Sequence, residues 1–255
     1  MVELKTPGEI EAMRASGRVV AQILATVRAQ AEVGTSLLDL DRIARDILAE
    51  ARATSPFLGY RPSFAQTPFP AVICTSINDA ALHGIPDATR LADGDLVSVD
   101  CGAVLDGWAA DAAISFTVGE PRDEDTRLIG TVETALAAGI AAAAPGAQIG
   151  DVSAAIGEVG RGAGLRISTD YGGHGIGRTM HESPAVPNDG RPGRGMRLVP
   201  GLVIAIEPWF LGGGGDCYRV DPDGWTLRSA DGSRAAHVEH TVAITEDGPR
   251  VLTVL

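Results

Sequence analysis

Along this chain apolar residues recur at three- and four-residue steps in some stretches and alternate with polar ones in others, and the two rhythms mark out its elements. A first helix opens at Thr6-Pro7-Gly8-Glu9, with Thr6 as N-cap, Pro7 in the first helical position and Glu9 placed to complete a capping box. Ile10, Met13, Gly17, Val20, Leu24 and Val27 then form one buried stripe. A second helix starts near Thr35-Ser36 and turns Leu37, Leu40, Ile43, Ala44, Ile47 and Leu48 inward. Ser55 to Pro70, with four prolines, reads as a loop, and Ala71 to Ile77 as a strand.

Strict alternation governs Asp95 to Thr117, DLVSVDCGAVLDGWAADAAISFT, around Asp106-Gly107, a preferred two-residue hairpin turn. A tight turn there sets Asp100 opposite Ala113 and Asp111 opposite Gly102. The two acids become diagonal neighbours on a face shared with Ser98, Gly102 and Ser115. Val97, Val99, Cys101, Ala112, Ile114, Phe116 and Val118 point the other way, into a core.

After Gly119 the programme repeats. A helix from about Asp123 to Ala143 carries Leu128, Ile129, Val132, Leu136 and Ile140, and Gly146 to Val152 then echoes Gly34 to Leu40 at an offset of 112 residues. His174-Gly175-Ile176 echoes His83-Gly84-Ile85, and Gly201 to Glu207 echoes Gly94 to Asp100 at an offset of 107. Glu207 is therefore the counterpart of Asp100. The last strand, His237 to Thr245, puts Glu239, Thr241 and Ala243 on one face and Val238, His240, Val242 and Ile244 on the other, which makes Glu239 the counterpart of Asp111. The expected architecture is one α+β domain of two pseudo-twofold halves, about 1–118 and 119–255, each helix-helix-strand-hairpin, around a curved, mostly antiparallel sheet.

Length and charge narrow the partners. A chain of 255 residues with 45% hydrophobic side chains can bury a large core. A net charge of -12 argues against DNA or an anionic membrane as the main ligand. The N-terminus offers no apolar stretch for a signal peptide, and no charge-free apolar run is long enough to span a bilayer, so a soluble cytoplasmic protein is expected. Cys74, Cys101 and Cys217 are odd in number and widely spaced, without a C-x-x-C pair, and read as free thiols.

A lone aspartate in a strand is ordinarily a turn or edge acid. Four acids echoed between halves need another account, because converging buried carboxylates repel and protonate unless cations lie between them. Asp100, Asp111, Glu207 and Glu239 carry -4 when ionised, which two divalent cations balance. Such an oxygen-rich set with one imidazole suits Mn, Fe, Co or Zn in an open, catalytic site whose ions share an acidified water able to attack a carbonyl. His174, within Tyr171-Gly172-Gly173-His174-Gly175-Ile176-Gly177, is the best imidazole candidate. His237 and His240 read as structural, and Gly212 to Gly215 as a flexible connection, since no Gly-Lys-Ser/Thr follows it.

The spacing of Asp100, Asp111, His174, Glu207 and Glu239, with HGIP at 83–86, GHGIG at 173–177, His181-Glu182-Ser183-Pro184 and Glu239-His240-Thr241, resembles the type I methionine aminopeptidases of the pita-bread fold. The resemblance covers nearly the whole chain from Leu4-Lys5-Thr6-Pro7 onward. It implies removal of the initiator methionine from new polypeptides when the second residue is small. It further implies that Asp111, bidentate, and Asp100, bridging, hold two divalent ions with Glu239 as a second bridge, while His174 and Glu207 complete one ion. Glu207 would relay the proton from water to leaving amine, and His83 and His181 would hydrogen-bond the substrate and stabilise the tetrahedral intermediate. Tyr60, Cys74, Met180 and Trp225 match positions lining the methionine pocket. Departures are the stretch Tyr60-Arg61-Pro62-Ser63-Phe64-Ala65-Gln66, Asp79 where Glu is common, and Met180 in place of an aromatic. Implied partners are N-terminal methionyl peptides and nascent chains, with transient ribosome contact and a monomeric state.

Two other readings use the same residues. A proline-directed metalloaminopeptidase, like aminopeptidase P or prolidase, shares the ligand set but usually carries an additional N-terminal domain, whereas this chain begins almost directly at its first helix. A non-catalytic peptide-binding module typically loses ligands, and none is missing here.

Overall fold

The computed structural model describes residues 2–63 and 65–255; Phe64 lies outside the described residues. Helix α1 (Pro7–Gln30) starts as its sequence dictates, Thr6 and Glu9 forming a reciprocal capping box. Helix α2 (Leu37–Glu50) is capped by Ser36, whose hydroxyl accepts the Asp39 N–H. Strands β1 (Ile73–Ile77) and β2 (Ala80–Leu82) precede the hairpin β3 (Leu96–Leu105) and β4 (Trp108–Thr117). Helices α3 (Asp123–Ala142) and α4 (Ile149–Gly162) follow, then β5 (Gly173–Gly175), β6 (Glu182–Val186), β7 (Val203–Ile206), β8 (Trp209–Leu211), β9 (Tyr218–Val220), β10 (Leu227–Ser229), β11 (Ala235–His237), β12 (Glu239–Thr245) and β13 (Gly248–Val251).

The main sheet has the order β1-β3-β4-β12-β7-β5-β6, with β13 added to β12, and every registered pair in it is antiparallel. Helices cover one face of it. Val20, Ile23, Leu24 and Val27 of α1 and Leu40, Ala44 and Leu48 of α2 pack on Val97, Val99, Cys101, Ala112 and Phe116, the hairpin positions expected to point into a core. Leu128, Val132 and Leu136 of α3 and Val152 and Ile156 of α4 pack in the same way on Ile204, Ile206, Val242 and Ile244. Burial of these apolar side chains, at about 25 cal/mol per Å², is the main term holding the layers together. The opposite face, with Ser98, Asp100, Asp111 and Glu239, is left for chemistry.

The repeat seen in sequence has a backbone counterpart. Gly34 and Gly146 take positive φ angles of 93° and 91°, which favour glycine. The Gly34 N–H donates to the Leu91 carbonyl at 2.7 Å and the Gly146 N–H to the Leu198 carbonyl at 2.8 Å. One residue pair then bridges each helix start, Ser36 with Arg90 and Gln148 with Arg197. Among the described residues, no helix is long and apolar enough to cross a membrane.

Candidate metal centre

The site begins with the β3–β4 turn. Asp106 and Gly107 have φ angles of 51° and 77°, the left-handed pair that matches a two-residue loop to right-twisted strands. The register runs from Leu105 opposite Trp108 to Leu96 opposite Thr117, so Asp100 faces Ala113 and Asp111 faces Gly102, as the sequence predicts. On one side β1 pairs Cys74 with Asp100, and on the other β12 pairs Glu239 with Ala113. Cys74, Asp100, Ala113 and Glu239 therefore form one transverse row, and the small Ala113 leaves room between two acids. The β12–β7 register has His240 opposite Ile206; carried one pair further, it sets Glu207 beside Glu239.

Asp111 sits where β4 and β12 begin to part, and Thr241 holds it there. The Thr241 hydroxyl accepts the Asp111 N–H at 2.9 Å and donates to the Asp111 carbonyl at 2.7 Å.

His174 reaches the acids from β5, threaded between β6 and β7. A Cβ on Gly173 would collide with the Ala205 carbonyl and one on Gly175 with the Ser183 carbonyl, so the flanking glycines are what lets this strand in. Nδ1 of His174 lies 2.9 Å from the Gly175 carbonyl, which can only accept, so the proton sits on Nδ1 and Nε2 offers its lone pair to the acids. Nε2 is 3.5 Å from Glu207 Oε1. Burial, then the neighbouring His181, lowers the His174 pKa to about 3, so the ring is neutral near pH 7.

Ligand atoms of Asp111, His174 and Glu239 all lie within 4.8 Å of one another. Oδ1 of Asp100, Oδ1 of Asp111 and Oε1 of Glu239 are buried without a hydrogen-bond partner. Burial, followed by the charges of Asp111 and Glu207, pushes Asp100 well above the usual carboxylate range. Burial followed by Asp111, Glu207 and Asp100 does the same to Glu239. Burial alone raises Asp111, against hydrogen bonds from Asp100 and Ala112 that lower it. Burial and then Asp111 raise Glu207. Orphaned carboxylate oxygens converging beside a free imidazole nitrogen are what a divalent cation satisfies.

The acids form one end of a cavity of about 630 Å³ that also takes in His83, His181, Tyr60, Cys74, Met180 and Trp225. Every candidate site residue named from sequence lines this one cavity. His83 adopts a φ of 59°, and its buried Nδ1 has no hydrogen-bond partner. Burial, then His181, lowers its pKa to about 4. The His181 ring lies 4.2 Å from that of His174 and 5.3 Å from that of Tyr60. The loop carrying His181 is held by Lys5, whose ammonium, with a side chain only 1% exposed, donates to Glu182 Oε2 at 2.9 Å.

Sequence reasoning missed part of the wall. Phe57 and Phe69 line it from the proline-rich loop, and the Phe69 ring stands edge-on to Trp225 at 5.1 Å. Tyr171 and Tyr218 line it as well. His237, read as structural, points its buried Nε2 at Glu207 Oε2 from 3.7 Å. His240 is structural as expected, its Nδ1 2.8 Å from the Thr253 hydroxyl. Asp79, a departure in sequence, pairs with Arg228 at 2.6 Å.

The model of metallopeptidase family M24 matches residues 11–246 of this chain. The chain belongs to metallopeptidase family M24, among its methionine aminopeptidases. It is 51% identical over 261 residues to methionine aminopeptidase 1 of Mycobacterium tuberculosis, covering 100% of this chain and 96% of the relative. It is 42% identical to the methionine aminopeptidase of Aquifex aeolicus, covering 100% of this chain and 99% of that one. The crystal structure of methionine aminopeptidase from Thermotoga maritima superposes with a TM-score of 0.94 at 38% identity, each chain covered in full. A prolidase from Pyrococcus furiosus, at 22% identity and a TM-score of 0.76, shares the fold over 99% of this chain but only 65% of its own. The architecture is thus the pita-bread fold, and membership of the family implies divalent metal ions, for which Asp111, His174 and Glu239 form a possible ligand cluster.

Proposed function

We propose that this chain removes the N-terminal methionine from new polypeptides, holding two divalent ions with Asp100, Asp111, His174, Glu207 and Glu239. The observation that carries the reading is the convergence of orphaned carboxylate oxygens and a lone-pair imidazole nitrogen at the end of a single cavity. Four ionised acids balance two divalent charges, and the ligand chemistry admits Mn, Fe, Co or Zn. Asp111, His174 and Glu239 would hold one ion between them, with Asp100 and Glu207 completing the ligand set. Ions held there would supply an acidified water and polarise the carbonyl of the first peptide bond.

The remaining work falls to side chains. The methionine side chain enters the part of the cavity walled by Tyr60, Phe57, Phe69, Cys74, Met180 and Trp225, an apolar lining with a sulfur and aromatic edges suited to a thioether. Glu207 accepts a proton from the attacking water and passes it to the leaving amine. His83 and His181, both kept neutral by burial, donate hydrogen bonds to the substrate and to the oxygen that gains charge. Nascent chains are the natural substrates, met through transient contact with the ribosome by a monomeric, cytoplasmic enzyme.

Purified protein given Mn or Co and a Met-Ala-Ser peptide is expected to release free methionine. Lack of release with every divalent metal overturns the reading, and faster cleavage of Ala-Pro than of Met-Ala turns it into a proline-directed peptidase.

A further inference from the structure

His237 ends β11 directly opposite Trp209 of β8, so the residue that follows Glu207 by two positions is its ladder partner. Its backbone is fixed on the other side as well. The His237 N–H donates to the Ser115 hydroxyl at 3.0 Å and the His237 carbonyl accepts from it at 2.8 Å, while Ser115 shares a further 2.7 Å hydrogen bond with Ser98. The ring is 2% exposed, and Nε2 is buried without a partner inside normal hydrogen-bond range. Facing it is Oε2 of Glu207, at 3.7 Å, while the other oxygen of that carboxylate faces His174 at 3.5 Å. A histidine that served packing alone would find a neutral partner, as His240 finds Thr253. An imidazole nitrogen buried and turned to a carboxylate takes the tautomer that donates to it.

We propose that His237 is a positioning residue for Glu207, donating from Nε2 to Oε2 and thereby fixing the carboxylate with Oε1 turned toward His174. The inference rests on the role given to Glu207 above and adds the group that orients it. A small rotation of the Glu207 side chain closes the 3.7 Å gap to a charge-assisted hydrogen bond, and separations of this kind commonly tighten once substrate is bound.

Reach is the property to test. In place of His237, glutamine carries a neutral N–H donor about as far as Nε2, asparagine carries one a bond too short, and leucine carries none. H237N and H237L are expected to lower kcat on Met-Ala-Ser about 10- to 100-fold with KM within about threefold of wild type, and H237Q to recover kcat to within about threefold. The visible absorption bands of the Co(II)-loaded protein, which report geometry around His174 and Glu207, are expected to shift in H237N and H237L and return in H237Q. Unshifted bands and kcat in H237N, or a H237Q protein as impaired as H237L, overturn the proposal. If H237L does not fold, the comparison of H237N with H237Q decides alone. A wild type that releases no methionine defeats the reaction assigned above, and the Co(II) bands of the same variants still decide the part played by His237.

Discussion

The two halves of the chain deliver their acids by different means. In the first, Asp100 and Asp111 stand on ten-residue strands joined by a two-residue turn, so a single local signal sets their register. In the second, Glu207 directly follows β7 and Glu239 opens the neighbouring strand β12, but the chain between them makes the excursion β8 to β11 before returning. The first arrangement gives rigidity at the cost of variation. The second keeps the same two acids side by side and uses the intervening segment to build the cavity wall, bringing Trp225 and Tyr218 to it and setting His237 beside Glu207. A repeated scaffold thus carries one half whose acids are set by a local turn and one whose acids are joined through an inserted segment that helps to wall the cavity.

If both halves serve one centre, damaging either acid pair should be equally severe. Asp111→Asn and Glu239→Gln are each expected to reduce kcat/KM for methionine release by about 1,000-fold or more while the protein stays folded by circular dichroism; retained activity and metal content in either would break the comparison. The accessory histidines also come from opposite halves. His83→Ala and His181→Ala should each cost about 100-fold in kcat, with metal stoichiometry unchanged by elemental analysis.

Acidity gives a third handle. A carboxyl raised by burial binds a proton in the folded state that it has released in the unfolded one, so its contribution to stability falls as pH climbs from the unfolded value toward the folded one. Asp100, Asp111, Glu207 and Glu239 are all raised. His83, His174 and His237 are lowered from 6.5 to about 3 or 4, so their penalty appears only as pH falls below 6.5. Between 6.5 and the thiol range that begins near 9.0, therefore, the acids are the groups of the site that act. Chelated protein should lose Tm as pH rises through this window, whereas protein saturated with Mn should hold it, ion having replaced proton. A Tm gap that stays constant with pH would contradict the charge balance proposed for the centre.

The smallest effects separate the two connections. Thr241→Val removes both hydrogen bonds to the Asp111 backbone and should cost about 1–3 kcal/mol by urea unfolding. One glycine added within Gly212 to Gly215 should cost less than about 1 kcal/mol. One residue added at Asp106-Gly107 would flip every side chain beyond it to the other face.

This contrast also explains what could be read from the sequence. The hairpin was legible because a turn dipeptide and strict alternation are local signals, and Glu207 and Glu239 were legible because the repeat copied them. Capping boxes told where α1 starts for the same reason. His237 was harder to assign: alternation put it on the face of Glu239, but its partner Trp209 belongs to a three-residue strand that no periodicity announces. Phe57 and Phe69 sit in a proline-rich loop whose path depends on tertiary contacts such as the Trp225 indole N–H donating to the Thr67 carbonyl at 3.0 Å. Strands β2, β9 and β10, three residues each, are likewise fixed by the elements they pair with and not by their own composition.

The ion pair of Lys5 with Glu182 spans 177 residues of chain. During its own synthesis this protein exposes Lys5 long before the partner exists, so the loop bearing His181 has no anchor until more than two thirds of the polypeptide has been made. Closing so large a span is slow, and a protein that trims the first residue from other chains is thus unable to complete its working site while it is itself still emerging.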